Sequence, residues 1–265
     1  MSQPHNILAA HRPASMRERV SEEEWAARVE LAALYRILHH FGMTDLIANH
    51  ITMRVPDGSG HILINAYGLT YDEVTASNLY KITIDGDVVL KPDVELGLNP
   101  TGYTIHGAVH RAREDAHVVI HTHSAAGTGV SGMKCGLLPL SQHAALVERV
   151  VGYHDYEGVA LNFEERERLV ANLGSGNLLI LRNHGLLACG RTCGEAFIYL
   201  YRLEMACKIQ VAALAGGLDN GLAMSGAALE NTRNIAIANP GLVGGDLQWK
   251  ALLRRMDRID PSYKE

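Results

Sequence analysis

His121 and His123 are separated by one residue and follow the apolar run Val118-Val119-Ile120. Successive side chains on a β-strand alternate between faces, so both imidazoles project to the same side, about 7 Å apart along the chain and within reach of one ion. With fourteen histidines among 265 residues, about 0.7 such pairs arise by chance, so the pair signals a metal only in company. His184 supplies the company. Asn183-His184-Gly185 interrupts two apolar β-favouring runs, Leu178 to Leu181 and Leu186 to Cys189, as a tight bend that holds a third imidazole on rigid backbone. Three histidines and an open position are the ligand set of a catalytic divalent site rather than of a closed structural one.

The elements that must carry these ligands can be read from periodicity. Ser21 and Glu24 have capping-box spacing, and Trp25, Val29, Ala32, Ala33, Ile37 and Phe41 recur at helical intervals until Gly42. Short β-favouring runs follow at Ile51 to Val55, His61 to Ile64, Lys81 to Ile84 and Val88 to Leu90, parted by turn residues, which implies hairpins and an antiparallel sheet. A helix over roughly Tyr103 to Arg113 precedes the histidine strand. Asn162 and Glu165 cap a helix that Gly174 closes, and Thr192 with Glu195 caps a long helix through about Ala215. Beyond Gly216-Gly217 the chain is rich in Gly, Ala and Asn until a short helix at Trp249 to Met256. The expected fold is a three-layer α/β/α domain with helices on both sides of a mainly antiparallel sheet. Residues 1–20 read as an N-terminal arm, 21–217 as the domain, and 218–265 as an extension packing on the domain or on a neighbouring subunit.

Other polar residues on these elements have simpler readings. His106 and His110, an i,i+4 pair, suit packing or a surface, and Tyr153-His154-Asp155 suits a loop brace. On the long helix, Phe197, Tyr201, Met205 and Ile209 form an apolar face for a core or a subunit interface.

Composition limits the function. Hydrophobic residues make up 47% and charged ones 20%, the net charge is -5, and Lys and Arg are dispersed, so the electrostatic footprint of a nucleic-acid binder is absent. No apolar stretch approaches the ~18 residues of a membrane span, and residues 1–25 lack a signal-peptide pattern, so the expected place is the cytoplasm. Cys135, Cys189, Cys193 and Cys207 form no CxxC pair and read as reduced core thiols.

Several segments, in order, resemble the class II aldolase/adducin family: Asn99-Pro100-Thr101-Gly102-Tyr103 leading to His106, Val118 to His123, Met133-Lys134-Cys135-Gly136-Leu137-Leu138-Pro139, Tyr153-His154-Asp155-Tyr156-Glu157-Gly158, Leu181 to Leu186, and Ala206 to Val211. Together they span about residues 25–215, and several lie closer to the adducin-head branch than to the sugar-phosphate aldolases. The resemblance implies a divalent ion on His121, His123 and His184, Zn²⁺ first and Mn²⁺, Co²⁺ or Fe²⁺ as alternatives, in a homotetramer with sites at subunit boundaries. It also implies Lewis-acid chemistry on a small-molecule substrate through a metal-stabilised enolate, serving retro-aldol cleavage or decarboxylation.

The departures from the family pattern point away from sugar phosphates. Counting from the shared histidines, Gly102 stands where the aldolases carry a catalytic glutamate. Pro100 and Thr101 stand for the serine pair that holds a phosphate, and Ala48 and Asn49 for the Gly-Asn phosphate turn. Asn49, Gly68 and Thr101 are the substrate-side candidates, Gly68 because its turn lines the pocket in relatives. His143 follows the metal strand in a segment that supplies acid/base groups in related epimerases and is the candidate for proton transfer. The leading expectation is a metal-dependent lyase for an unphosphorylated hydroxy or keto compound. The alternatives are a non-catalytic adducin-like assembly module and an Fe(II)-dependent oxygenase on the same fold.

Overall fold

Alternation along Val118-Val119-Ile120-His121-Thr122 decides the layering. Val118 and Ile120 are buried in one apolar cluster and Val119 in another, on opposite faces of the sheet. The protein is described by a computed structural model covering residues 14–158, 163–239 and 244–265, apart from the side chains of Thr101, Phe163 and Glu164. The strands are β1 (His50–Arg54), β2 (Ile62–Asn65), β3 (Leu79–Ile82), β4 (Val88–Leu90), β5 (Val118–Thr122), β6 (Val151–His154), β7 (Leu178–Leu181) and β8 (Gly185–Gly190). They form one sheet in the order β4-β3-β2-β1-β5-β8-β7-β6. Every neighbouring pair is antiparallel except β6 and β7, so the expected three-layer architecture with a mainly antiparallel sheet is what the chain adopts.

The helices are α1 (Glu22–His40), α2 (Pro100–Ala112), α3 (Ala125–Ser131), α4 (Gln142–Val147), α5 (Phe163–Leu173), α6 (Cys193–Ala213), α7 (Gly226–Ala238) and α8 (Asp246–Ile259). Leu31, Leu34 and Leu38 of α1, Val130 of α3, Val147 of α4, and Phe197, Leu200 and Leu203 of α6 bury one face of the sheet with Trp249 and Met256 of α8. Ile105 and Val109 of α2 and Leu169 and Leu173 of α5 cover the other face over Val119, Leu179 and Leu187. His50 and Thr52 of β1 and His121 of β5 therefore lie on the α2 and α5 side.

Ser21 Oγ accepts the Glu24 N–H at 3.1 Å, as its spacing predicts, but the return half of the capping box is not made. The Glu24 carboxylate is drawn instead to Arg28 and Lys81, each at 2.9 Å, because two cations inside the fold outbid one backbone donor. Asn162, the expected cap of α5, lies outside the described residues, as do residues 1–13 of the arm. Met16–Arg19 forms a short 3₁₀ turn with Met16 buried. From the C-terminal extension, α8 packs on α1 and α6, the Trp249 indole donates to Glu30 at 2.9 Å, and Arg36 pairs with Asp260 at 2.7 Å. Cys189, Cys193 and Cys207 are buried, but Cys135 is exposed on the loop after α3, a correction to the expectation of four core thiols.

Candidate metal centre and substrate cleft

β5 runs between β1 and β8 and delivers His121 near its end, with His123 just beyond. The bend between β7 and β8 brings His184 to the same place. Asn183 takes a left-handed φ of +55°, which a short amide side chain tolerates. Gly185 lets the bend press against the end of β5, since a Cβ there would stand 2.3 Å from the Thr122 carbonyl oxygen and 3.2 Å from His123 Cδ2.

The Nε2 atoms of the three histidines converge, at 2.8 Å for His121 to His123, 3.0 Å for His123 to His184 and 3.3 Å for His121 to His184. The far side of two rings fixes what those atoms carry. His121 Nδ1 lies 2.9 Å from the Leu186 carbonyl, which can only accept, so the proton is on Nδ1 and Nε2 is a bare lone pair. His123 Nδ1 lies 3.2 Å from the Asp45 carboxylate, which orients that ring the same way. Burial, followed by the neighbouring imidazoles His184, His50 and His123, holds His121 well below its ordinary range. Burial and His123 bring His184 down to about 4. Nitrogens bound at ~2.0–2.1 Å to a tetrahedral Zn²⁺ stand ~3.3 Å apart, so the three converging Nε2 atoms fit a divalent ion with a few tenths of an ångström of opening. Among the described residues, this is the one cluster of three such side chains positioned to hold a metal.

The triad forms one wall of a cleft of about 310 Å³, with Ala48, His50, Tyr67, Asn99 and Tyr156 among the other walls and no Lys or Arg among the described residues that line it. The Tyr156 ring stands 6.1 Å from that of His184. Of the substrate-side candidates, Asn49 is buried with both amide atoms unpartnered, next to the cleft residues Ala48 and His50 rather than in the lining itself. Gly68 has φ +117° beside Leu96, and its neighbour Tyr67 is the residue that lines the cleft. Thr101 belongs to the first turn of α2, and its side chain is outside those described. His143 sits on α4 with its ring 6.3 Å from Tyr201 of α6, away from its own chain's cleft, and burial and Arg202 lower its pKa.

Gly102 faces His50. A Cβ at Gly102 would stand 3.3 and 3.4 Å from His50 Cγ and Cδ2. His50 is a cleft residue that sequence reasoning passed over in favour of Asn49. The signal was its period-2 relation to the buried Thr52, which places its ring on the face of His121, its partner in register. Burial, with His123 and His184, brings the His50 pKa down to about 3 against a weak opposing pull from the Ala48 backbone. His106 and His110 are fully buried on α2, with the Thr52 hydroxyl 2.8 Å from His106 Nδ1 and 2.7 Å from His110 Nε2. Tyr153 braces the loop after α3, its hydroxyl accepting the Leu137 N–H at 2.9 Å under the Arg182 guanidinium, 4.4 Å from its ring.

Comparison with known proteins agrees with this geometry. An aldolase class 2 protein of Caulobacter vibrioides is 49% identical over 251 residues, covering 95% of this chain and 96% of that one. Alpha-adducin of Rattus norvegicus is 42% identical over 244 residues, which are 88% of this chain and 33% of the adducin. The crystal structure of an aldolase II superfamily protein from Pseudomonas syringae superposes with a TM-score of 0.91 at 45% identity, covering 95% of this chain and all of that one. Residues 29–211 match the family described as Class II Aldolase and Adducin N-terminal domain, and with its sheet, bend and histidine trio in place the chain belongs to that family.

Proposed function

We propose that the chain is a cytoplasmic, divalent-metal-dependent carbon–carbon lyase that acts on a small, unphosphorylated hydroxy or keto compound, by retro-aldol cleavage or decarboxylation. The convergence of three Nε2 atoms within 3.3 Å carries this reading. His121, His123 and His184 would hold the ion, Zn²⁺ first and Mn²⁺, Co²⁺ or Fe²⁺ as alternatives. Bound there, it would act as a Lewis acid toward a substrate carbonyl oxygen. Leu186 and Asp45 hold the rings in orientation, while Tyr67 and Tyr156 bound the space a substrate would fill.

Two features narrow the substrate. Among the described residues the cleft lining holds no Lys or Arg, and so no side-chain counter-charge for a phosphate dianion. Gly102 cannot remove a proton beside a carbonyl, a step to which a positioned base contributes ~10²- to 10⁴-fold, whereas loss of CO₂ needs no such base. We assign Asn49, Gly68 and Thr101 to the substrate side. His143, whose buried Nδ1 has no partner, would transfer a proton in the site of a neighbouring copy within a homotetramer. Exposed Leu218, Leu222 and Ile237 give that assembly an apolar surface. No helix among the described residues is long and apolar enough to cross a membrane.

The 42% identity to alpha-adducin and the missing carboxylate favour a second reading, a non-catalytic assembly module. Elemental analysis of protein purified without added ions, light scattering, and assays on fuculose 1-phosphate, hydroxy-keto acids and hydroxy-aromatic carboxylates separate the two. One ion per chain, about four chain masses and turnover of an unphosphorylated compound are expected. Folded protein without any ion would sink the metal reading, efficient turnover of the sugar phosphate would sink the substrate reading, and bound iron with oxygen consumption would turn the lyase into an oxygenase.

A further inference from the structure

We propose that His50 is a substrate-binding residue, its imidazole, seated against Gly102, accepting a hydrogen bond from a substrate hydroxyl in the cleft. This role rests on the reading of the cleft as the site of a hydroxy or keto compound and adds to it that the substrate carries a hydroxyl beyond the pair of oxygens that would chelate the ion.

His50 lines the cleft, is 3% exposed and pairs across the sheet with His121, with ring centroids 5.5 Å apart. Neither of its ring nitrogens makes a hydrogen bond of good geometry, although the Ala48 backbone draws weakly on the ring. Buried polar atoms in folded proteins are nearly always matched, and an unmatched imidazole at the wall of a cleft is matched by what enters the cleft. Gly102 makes this possible. A Cβ there would crowd both the His50 ring, at 3.3 Å, and Ile64 Cδ1, at 3.2 Å, so any side chain at 102 competes with the imidazole for one space.

A chain of buried hydrogen bonds sets which kind of atom His50 offers. His110 Nδ1 donates to the Ala116 carbonyl at 2.8 Å, which leaves His110 Nε2 to accept the Thr52 hydroxyl proton at 2.7 Å. Thr52 Oγ1 then accepts from His106 Nδ1 at 2.8 Å, and His106 Nε2 is left as a buried lone pair without a partner. The His106 ring is 4.4 Å from that of His50. Beside that lone pair an imidazole is favoured with its N–H on the His106 side, and its remaining lone pair serves the cleft. A neutral acceptor suits a hydroxyl and repels the oxygens of a phosphate or a second carboxylate.

Glycerate and lactate test this, since both can chelate through a carboxylate and an α-hydroxyl and only glycerate has a further hydroxyl. Metal content and melting temperature are measured first for wild type, H50L and H50N, then the affinity for each acid by calorimetry. Wild type is expected to prefer glycerate about tenfold. H50L should lose that preference at unchanged metal content, and H50N, whose amide oxygen also accepts, should recover part of it. An undiminished preference in H50L overturns the role, as does loss of metal from H50L, which would make the ring a prop for His121. Wild type without an ion fails the metal reading by itself, before any acid is added.

Discussion

Two groups of histidines occupy the α2 and α5 side of the sheet, a few ångströms apart. Around His121, His123 and His184 three Nε2 atoms face one another, no more than 3.3 Å apart. Between His106 and His110 stands the Thr52 hydroxyl, donating to one ring and accepting from the other. A hydroxyl has both a proton and lone pairs and can satisfy two neutral imidazoles of opposite tautomer. Three converging lone pairs have no such partner short of a cation. What separates the candidate ligands from the core histidines in this protein is therefore the hydroxyl that stands between the core rings, and neither burial nor residue type makes the distinction.

The largest effect expected from breaking this contrast is on metal content. The H121A/H123A/H184A variant should fall from one ion per chain to background, with far-UV circular dichroism intact and a melting temperature close to that of metal-free wild type. Thr52→Val acts on the other group. It leaves two buried imidazole nitrogens unmatched and should cost about 2–3 kcal/mol in urea unfolding at unchanged metal content. If T52V also sheds the ion, the two groups are one network. Asp45→Asn sharpens the first group: the carboxylate is about half exposed and touches only the outer nitrogen of His123, so affinity for the ion should drop about tenfold with stability unaltered.

The smallest effect is graded by pH. Burial, with Arg54 next in weight, lowers His110 from 6.5 to about 3, and burial with His50 lowers His106 well below 6.5. Below 6.5 the unfolded chain takes up protons that the folded chain refuses. The stability tied to these two rings is thus intact above 6.5 and declines as pH falls toward about 3. The triple alanine variant should keep part of this decline between pH 7 and 5 in urea titrations, and adding His110→Gln should flatten it further. An identical slope with and without His110 would show that this ring does not stay neutral in the fold.

The sequence made the convergence of the three histidines legible because alternation along β5 and an abrupt polar bend are both local signals. β6 was hidden. Val151-Gly152-Tyr153-His154 is short, lies at the sheet edge, and carries a glycine that a strand reading penalises, yet a Cβ at Gly152 would come within 2.2 Å of the Asn172 carbonyl oxygen. α7 was hidden for another reason: Ile235 and Ile237 are exposed, so no apolar stripe marks a helix in a Gly- and Ala-rich stretch. His50 escaped because its meaning lies in register. Only pairing with His121, some seventy residues later in β5, tells which wall its ring joins.

The bend that carries His184 has a further consequence. Amides of a strand hydrogen-bonded on both sides are released when the sheet as a whole opens, while those of a turn open through small local fluctuations. β5 is bonded to β1 and to β8, so His121 is the fixed jaw of the trio. His184 rides on three residues between β7 and β8, with Asn183 in a left-handed conformation and Gly185 tight against β5, and is the movable jaw. Hydrogen exchange should show the two histidine amides orders of magnitude apart in protection. How fast the trio would loosen its hold on an ion is then a property of a single tight bend, set by an asparagine and a glycine that supply none of the converging nitrogens.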